Sequence, residues 1–123
     1  MRGFLIVFLG GGIGAALRYA VNLASARAIG TAVPATVFEN VSGSLVMGLL
    51  TGYFAFKSDA PQWLRLFLTT GILGGYTTFS TFSLDAALLW ERHAAWRALL
   101  YVALSVAGAL GGIALGLFLM RRA

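Results

Sequence analysis

The stretch "GGYTTFSTFSLD", residues 74 to 85, does not suit a continuous helix in a membrane. Paired glycines weaken a helix, and here five serine and threonine side chains follow them, interleaved with Phe79 and Phe82. The surrounding apolar span runs from residue 63 to residue 90 and would extend roughly 42 Å as a straight helix, against a bilayer core of ~30 Å. The glycines and the excess length together predict a helix broken near Gly74, with its freed backbone groups buried in protein or lining a polar cavity.

The composition of the whole chain is that of a membrane protein. Of its 123 residues, 59% are hydrophobic and 11% are charged, which is more apolar surface than a soluble domain of this size can bury. Three further apolar spans cover about residues 3–26, 33–56 and 98–120, each longer than the ~20 residues that cross a bilayer. We therefore predict an all-α fold with a single membrane domain, residues 1–123, and four transmembrane helices per subunit.

Several functional classes are excluded by what the chain lacks. It has no cysteine and a single histidine, His93, in a short loop, so neither a thiolate site nor a histidine metal centre is expected. No loop is large enough to hold a soluble active site, and we predict that the protein is not an enzyme. The net charge of +5 comes mostly from basic residues that flank apolar spans. Such residues suit lipid headgroups, so the expected partner is lipid and not nucleic acid.

Small residues and loop charges predict how subunits associate. Small residues recur four apart at Gly10 and Gly14, at Ser44, Gly48 and Gly52, and at Gly108, Gly112 and Gly116. Because such faces let membrane helices approach closely, we expect more neighbours than one subunit supplies, most simply a dimer. The loops and termini on one side carry four basic residues and those on the other carry three. So small a bias predicts insertion in both orientations and an antiparallel pair.

The polar residues inside the spans are candidates for function. Asn40 lies mid-span and could either bond to another helix or donate to a ligand. Phe79 and Phe82 are three apart and share a helix face, where they could simply pack or present positively polarised ring edges to a desolvated anion. No acidic residue lies between positions 71 and 84. These side chains favour an anion over a cation.

The glycine break predicts a different ligand. An interrupted helix exposes carbonyl oxygens, and convergent carbonyls suit a hard cation such as Na⁺. Arg18, near the end of the first span, could snorkel to the headgroups or attract anions into a vestibule. Glu39 and Asp85 could each pair with an arginine or lie in an aqueous mouth.

With these residues the chain resembles the CrcB/Fluc family of fluoride ion channels over essentially its whole length. The resemblance is carried by "GGGIGAALRY", "ENVSGSLVMG" and "GGYTTFSTFSLD" in the first, second and third spans, and the last of these is highly specific. It implies an antiparallel, dual-topology homodimer with two fluoride pores and a structural Na⁺ at the dimer centre.

The resemblance also implies roles for individual residues. At the fluoride pore it places Asn40, Phe79, Ser80, Thr81 and Phe82. The carbonyls of Gly74 and Thr77 match the sodium ligands, and Arg18 resembles the vestibule arginine.

The chain departs from the family pattern at four positions. Asp85 stands where glutamate is common, and Glu39 where an apolar residue is usual. Ala109 and Ile113 are the expected counterparts of pore-facing hydroxyl residues on the fourth span.

The resulting prediction is a fluoride-selective channel that exports fluoride passively across a prokaryotic inner membrane, in which the protein is multi-pass. Two alternatives are a small dual-topology multidrug exporter and a non-transporting scaffold subunit. The exporter class relies on an acidic residue in the first helix, and residues 3–26 contain none. The scaffold accounts for the small-residue faces but not for the donors clustered beside Phe79 and Phe82.

Overall fold

A computed structural model describes every residue from Met1 to Ala123, and the fold is entirely helical. Four helices are long: α1 Arg2–Ile29, α2 Val33–Phe56, α5 Phe79–Glu91 and α6 Ala95–Arg122. Between α2 and α5 lie three short elements that follow one another directly: α3 Gln62–Leu66, a π-helix Phe67–Leu73 and α4 Gly74–Tyr76.

Three of these helices, α1, α2 and α6, are long and apolar enough to cross a membrane. α2 has the predicted bounds, 33–56. α1 and α6 cover the predicted spans 3–26 and 98–120 and extend a few residues beyond them at both ends. The predicted span 63–90 is divided between two helical segments, residues 62–76 and 79–91. The predictions of an all-helical fold and of apolar helices long enough to cross a membrane are confirmed.

The backbone between those two segments is extended. Thr77 has φ −81° and ψ 155°, and Thr78 has φ −150° and ψ 125°. Gly74 is itself helical, with φ −63° and ψ −34°. The extended residues therefore lie three and four positions beyond the glycine near which the break was predicted, and the flexibility of Gly74 is not what places them.

The other glycines of this region allow close contact with α1. A Cβ at Gly71 would lie 2.9 Å from Gly10 Cα, and one at Gly75 would lie 3.0 Å from Gly11 Cα. A Cβ at Gly14 would collide with the carbonyl of Ile72. These glycines bring two backbones together, which explains their presence without a helix break.

The helices α2 and α6 form a second close pair. A Cβ at Gly116 would lie 2.6 Å from both Leu45 O and Leu49 N, and one at Gly112 would lie 3.1 Å from Val41 O. A Cβ at Gly48 would collide with the carbonyl of Ile113. The small-residue stripes are therefore used inside one subunit, and the predicted dimer has to rest on other features.

We expect Gly116→Ala to destabilise the fold. Its new Cβ meets backbone atoms of α2, which cannot turn aside, so the overpacking costs about 1–3 kcal/mol. Gly111→Ala is the matched control, because a Cβ there meets nothing within 4 Å and alanine favours the helix by up to about 1 kcal/mol. Thermal unfolding in detergent should show a lower midpoint for the first variant only. Equal midpoints would contradict the close pairing of α2 and α6.

Candidate functional site

The side chain of Asn40 holds the extended backbone at Thr78. Its Nδ2 donates to Thr78 O at 2.9 Å, and Thr78 N donates to Asn40 Oδ1 at 2.7 Å. The amide thus replaces both helical partners that Thr78 lacks. Asn40, 38 positions away in the sequence, thereby supplies hydrogen-bond partners to the backbone N–H and C=O of Thr78. Without it, these polar groups would be unpaired in an apolar setting.

The interruption at Thr77 and Thr78 releases two carbonyls from the helical hydrogen-bond ladder. In a continuous helix Thr78 N would donate to Gly74 O, and Thr81 N would donate to Thr77 O. Here Thr78 N donates to Asn40, and Thr81 N donates to Thr78 Oγ1 at 3.2 Å. The two carbonyls that lose these partners are the two that the resemblance matched to sodium ligands.

Thr78 is also the N-cap of α5. Besides accepting from Thr81 N, its hydroxyl lies 3.3 Å from Ser80 Oγ and donates to Thr81 Oγ1 at 3.2 Å. Ser80 and Thr81, expected at the pore, are thus placed in the hydroxyl cluster at the start of α5. Neither lines the cavity described next, so their role at the pore stays a prediction.

A cavity of about 330 Å³ lies between α2, α5 and α6. No charged side chain lines it. Its polar groups come from an amide and four hydroxyl residues, and the rest of its wall is apolar. The residues that line it are Asn40, Ser44, Thr77, Thr78, Phe79, Phe82, Ser105, Val106, Ala109 and Leu110.

The two phenylalanines of the motif meet at this cavity but differ in burial. Their ring centroids lie 5.4 Å apart with the planes tilted by 45°. Phe82 is 9% exposed and stacks on Tyr101 at 5.6 Å, whereas Phe79 is 78% exposed. Stacking on Tyr101 covers one face of Phe82. Sequence spacing correctly predicted that the two rings share one side of α5.

The residues that the fourth span, α6, contributes to the cavity differ from those predicted. Ala109 lines the cavity, but Ile113 does not. The Ile113 carbonyl packs against Gly48 on α2. Ser105 takes its place, and its hydroxyl is buried with no hydrogen-bond partner. The sequence could have indicated that Ser105 faces the cavity, because it precedes Ala109 by four residues and residues four apart share a helix face.

The two intramembrane acids have distinct surroundings. Asp85 Oδ2 accepts hydrogen bonds from Thr36 Oγ1 at 2.9 Å and from Tyr101 OH at 3.0 Å, so it pairs with hydroxyls and not with an arginine. Glu39 is 0% exposed, and neither of its carboxyl oxygens has a partner. The sequence expectation of an arginine pair or an aqueous mouth is wrong for Glu39.

Arg18 lies outside the cavity, on α1. It is half-buried, and its carbonyl accepts from Asn22 Nδ2 at 3.1 Å. Its guanidinium donates no hydrogen bond within the subunit, and its vestibule role stays a prediction.

Comparison with known proteins agrees with this architecture. Residues 5–117 match the family described as CrcB-like protein, Camphor Resistance (CrcB). A protein of Rhodopseudomonas palustris (strain BisB5), named fluoride-specific ion channel FluC, is 63% identical over 119 residues, 96% of each chain. Proteins with the same name from Methylobacterium sp. (strain 4-46) and Hyphomonas neptunium are 56% and 47% identical, each over at least 98% of both chains. With this coverage and identity, the chain belongs to the CrcB/Fluc family of membrane ion channels.

Proposed function

We propose that this protein is a fluoride-selective channel that lets fluoride leave the cytoplasm passively. The observation that carries the proposal is the uncharged cavity in which Asn40 and the two phenylalanines of the motif meet. A channel binds its ion strongly enough to replace water and weakly enough to release it. Neutral donors meet that requirement better than a fixed cationic side chain, which would hold fluoride too tightly.

Three kinds of group replace the hydration shell of fluoride in this proposal. The Asn40 amide carries two N–H donors, of which one is used on Thr78 O, so the second is free for the ion. The unpartnered Ser105 hydroxyl is another donor on the cavity wall. The ring edges of Phe79 and Phe82 add positive potential without a formal charge. Passage through these groups breaks no covalent bond, so no catalytic residue is required.

The working assembly in our proposal is an antiparallel, dual-topology homodimer. One subunit leaves Phe79 78% exposed at the cavity, and Gly74 is exposed as well. A second copy would close the cavity over Phe79 and bring the two helix interruptions together. The near balance of basic residues across the loops supports subunits that insert both ways.

We place a structural Na⁺ where the two interruptions meet. The carbonyls of Gly74 and Thr77 fit this role, because the helical donors that would occupy them bond elsewhere. Carbonyl oxygens are ligands that suit a hard cation. A bound Na⁺ would supply a fixed positive charge, which would favour a nearby anion.

The proposal also covers the residues along which fluoride approaches the cavity and the membrane that the protein spans. Arg18 would raise the local concentration of anions in a vestibule. The setting is a prokaryotic inner membrane, spanned by α1, α2, the interrupted segment 62–91 and α6. Fluoride that entered as the neutral acid and dissociated in the cytoplasm would leave by this path. Ser80 and Thr81 line the approach in this proposal, beside the N-cap of α5.

Efflux from liposomes that contain only this purified protein tests the proposal. Fluoride should leave rapidly once a potassium ionophore balances the charge, while chloride stays inside. Liposomes without protein control for leakage and for permeation of the neutral acid. Absence of fluoride flux, or equal flux of chloride, would overturn the proposal.

The orientation of the subunits gives a separate prediction. Reporter domains fused to the C-terminus should be found on both sides of the membrane, because the basic residues hardly favour either. Two lysines added to the loop "KSDAPQ", residues 57–62, should drive that loop to the cytoplasmic side. A reporter signal confined to one side of the membrane would contradict dual topology.

A further inference from the structure

The most unusual side chain outside the cavity is that of Glu39 on α2. It is 0% exposed, and both carboxyl oxygens lie buried without a hydrogen-bond donor. An ionised carboxylate without a partner is strongly disfavoured in such a place, whereas a neutral carboxylic acid is tolerated far better. The local structure therefore favours the protonated form of this group.

The surrounding charges decide which of the two nearby acids holds the proton. From α1, the Arg18 guanidinium attracts a negative charge on Glu39, and from α5 the Asp85 carboxylate repels it. From α6, Tyr101 donates to Asp85, as does Thr36 on α2. From α4, the Tyr76 hydroxyl hydrogen-bonds to Ser42, which follows Glu39 by one helical turn on α2.

Two carboxyl groups in one low-dielectric region do not both ionise readily, and hydrogen bonds favour the charge on the acid that accepts them. Asp85 accepts two and Glu39 accepts none. The asymmetry assigns the negative charge to Asp85 and the proton to Glu39.

We propose that Glu39 is a proton-binding site and that fluoride conducts well only while this site is protonated. The inference rests on the proposed fluoride flux. Glu39 directly precedes Asn40, the amide that we place beside the ion. A charge on Glu39 would act on an anion there through the protein interior, where screening by salt is weak. Loss of the proton therefore opposes the passage of fluoride.

The proton itself can be observed without changing Glu39. The chain has only two glutamates, Glu39 and Glu91, and Glu91 is exposed at the end of α5. In Glu91→Gln protein labelled with carbon-13 glutamate, every labelled carboxyl signal comes from Glu39. Infrared spectroscopy of this protein in membranes should show the shifted carbonyl band of a carboxylic acid at neutral pH. A carboxylate band there would overturn the assignment.

Flux measurements test the consequence. Fluoride efflux by the unsubstituted protein should fall about tenfold from mildly acidic to alkaline pH, which corresponds to about 1.4 kcal/mol. Glu39→Gln keeps the shape and neutrality of the acid, so its flux should stay at the higher level throughout. Glu39→Asp should restore the pH dependence. Glu91→Gln, measured as the matched control, should follow the unsubstituted protein, and protein-free liposomes at each pH correct for the neutral acid.

Each result bears on one claim. Equal pH profiles for the unsubstituted protein and Glu39→Gln, or a flat profile for the former, would overturn control by Glu39. Absence of fluoride flux at every pH would overturn the proposed function instead, while the carbonyl band would still decide whether Glu39 holds a proton.

Discussion

Asn40→Asp is expected to abolish fluoride flux. The carboxylate adds a negative charge to a cavity lined by no other charged side chain. It also has no N–H to donate to Thr78 O, so a negative oxygen would face that carbonyl where the amide now donates at 2.9 Å. Removing one partner of a buried hydrogen bond costs about 1–3 kcal/mol, and more where a charge is left. The charge and the disturbed backbone both act against conduction.

Flux and assembly should be measured on the same preparation. Size-exclusion chromatography in detergent is expected to show the dimer retained while liposome efflux falls to the level without protein. Gln62→Glu is the matched control, because it makes the same change of an amide to a carboxylate at an exposed residue outside the cavity. We expect its flux to stay close to that of the unsubstituted protein. Undiminished efflux in Asn40→Asp would remove Asn40 from the conduction path.

Phe82→Ile and Phe79→Ile are expected to lower flux steeply while the protein still assembles. Isoleucine keeps a bulky apolar side chain but lacks the positive ring edge. At Phe82 the change also removes the stacking on Tyr101, so a packing loss on the order of 1 kcal/mol is expected. Phe79 is mostly exposed in the subunit, so its replacement should hardly change the stability of the monomer. If both variants lose flux, a loss of monomer stability would therefore not be the common cause.

Controls separate ring chemistry from bulk. Methionine at either position is flexible and polarisable, and it should retain part of the flux that isoleucine loses. Phe67→Ile and Phe118→Ile make the same substitution outside the cavity, and conduction should hardly change. If the isoleucine variants at 79 and 82 conduct like the unsubstituted protein, the two rings are packing residues and the pore lies elsewhere.

The helical membrane fold was predictable because it depends on local properties of the chain. Apolar length determines which segments can cross a bilayer, and three of the four predicted spans match the helices closely. The spacing of Phe79 and Phe82 was enough to place both rings on one side of α5. Small residues four apart correctly indicated close helix packing. Their partners were not predictable, because each contact joins backbones from distant parts of the chain.

The position of the interruption is a tertiary property. Glycine composition placed it near Gly74, but the extended residues are Thr77 and Thr78. They are extended where Asn40, on another helix, supplies a donor and an acceptor that replace the lost helical partners. Helix propensity reports only on neighbours in sequence, so it could not identify this bond.

The surroundings of the polar side chains were also decided in three dimensions. By itself the sequence determined that Glu39, Asp85 and Ser105 lie within apolar spans, because hydrophobic length alone sets those spans. Only the tertiary structure decided that Asp85 accepts two hydroxyl donors while Glu39 has none, and that Ser105 lines the cavity while Ile113 does not. The physical reason is that burial and hydrogen bonding depend on which helices meet and at what rotation, and glycine contacts between distant backbones set both.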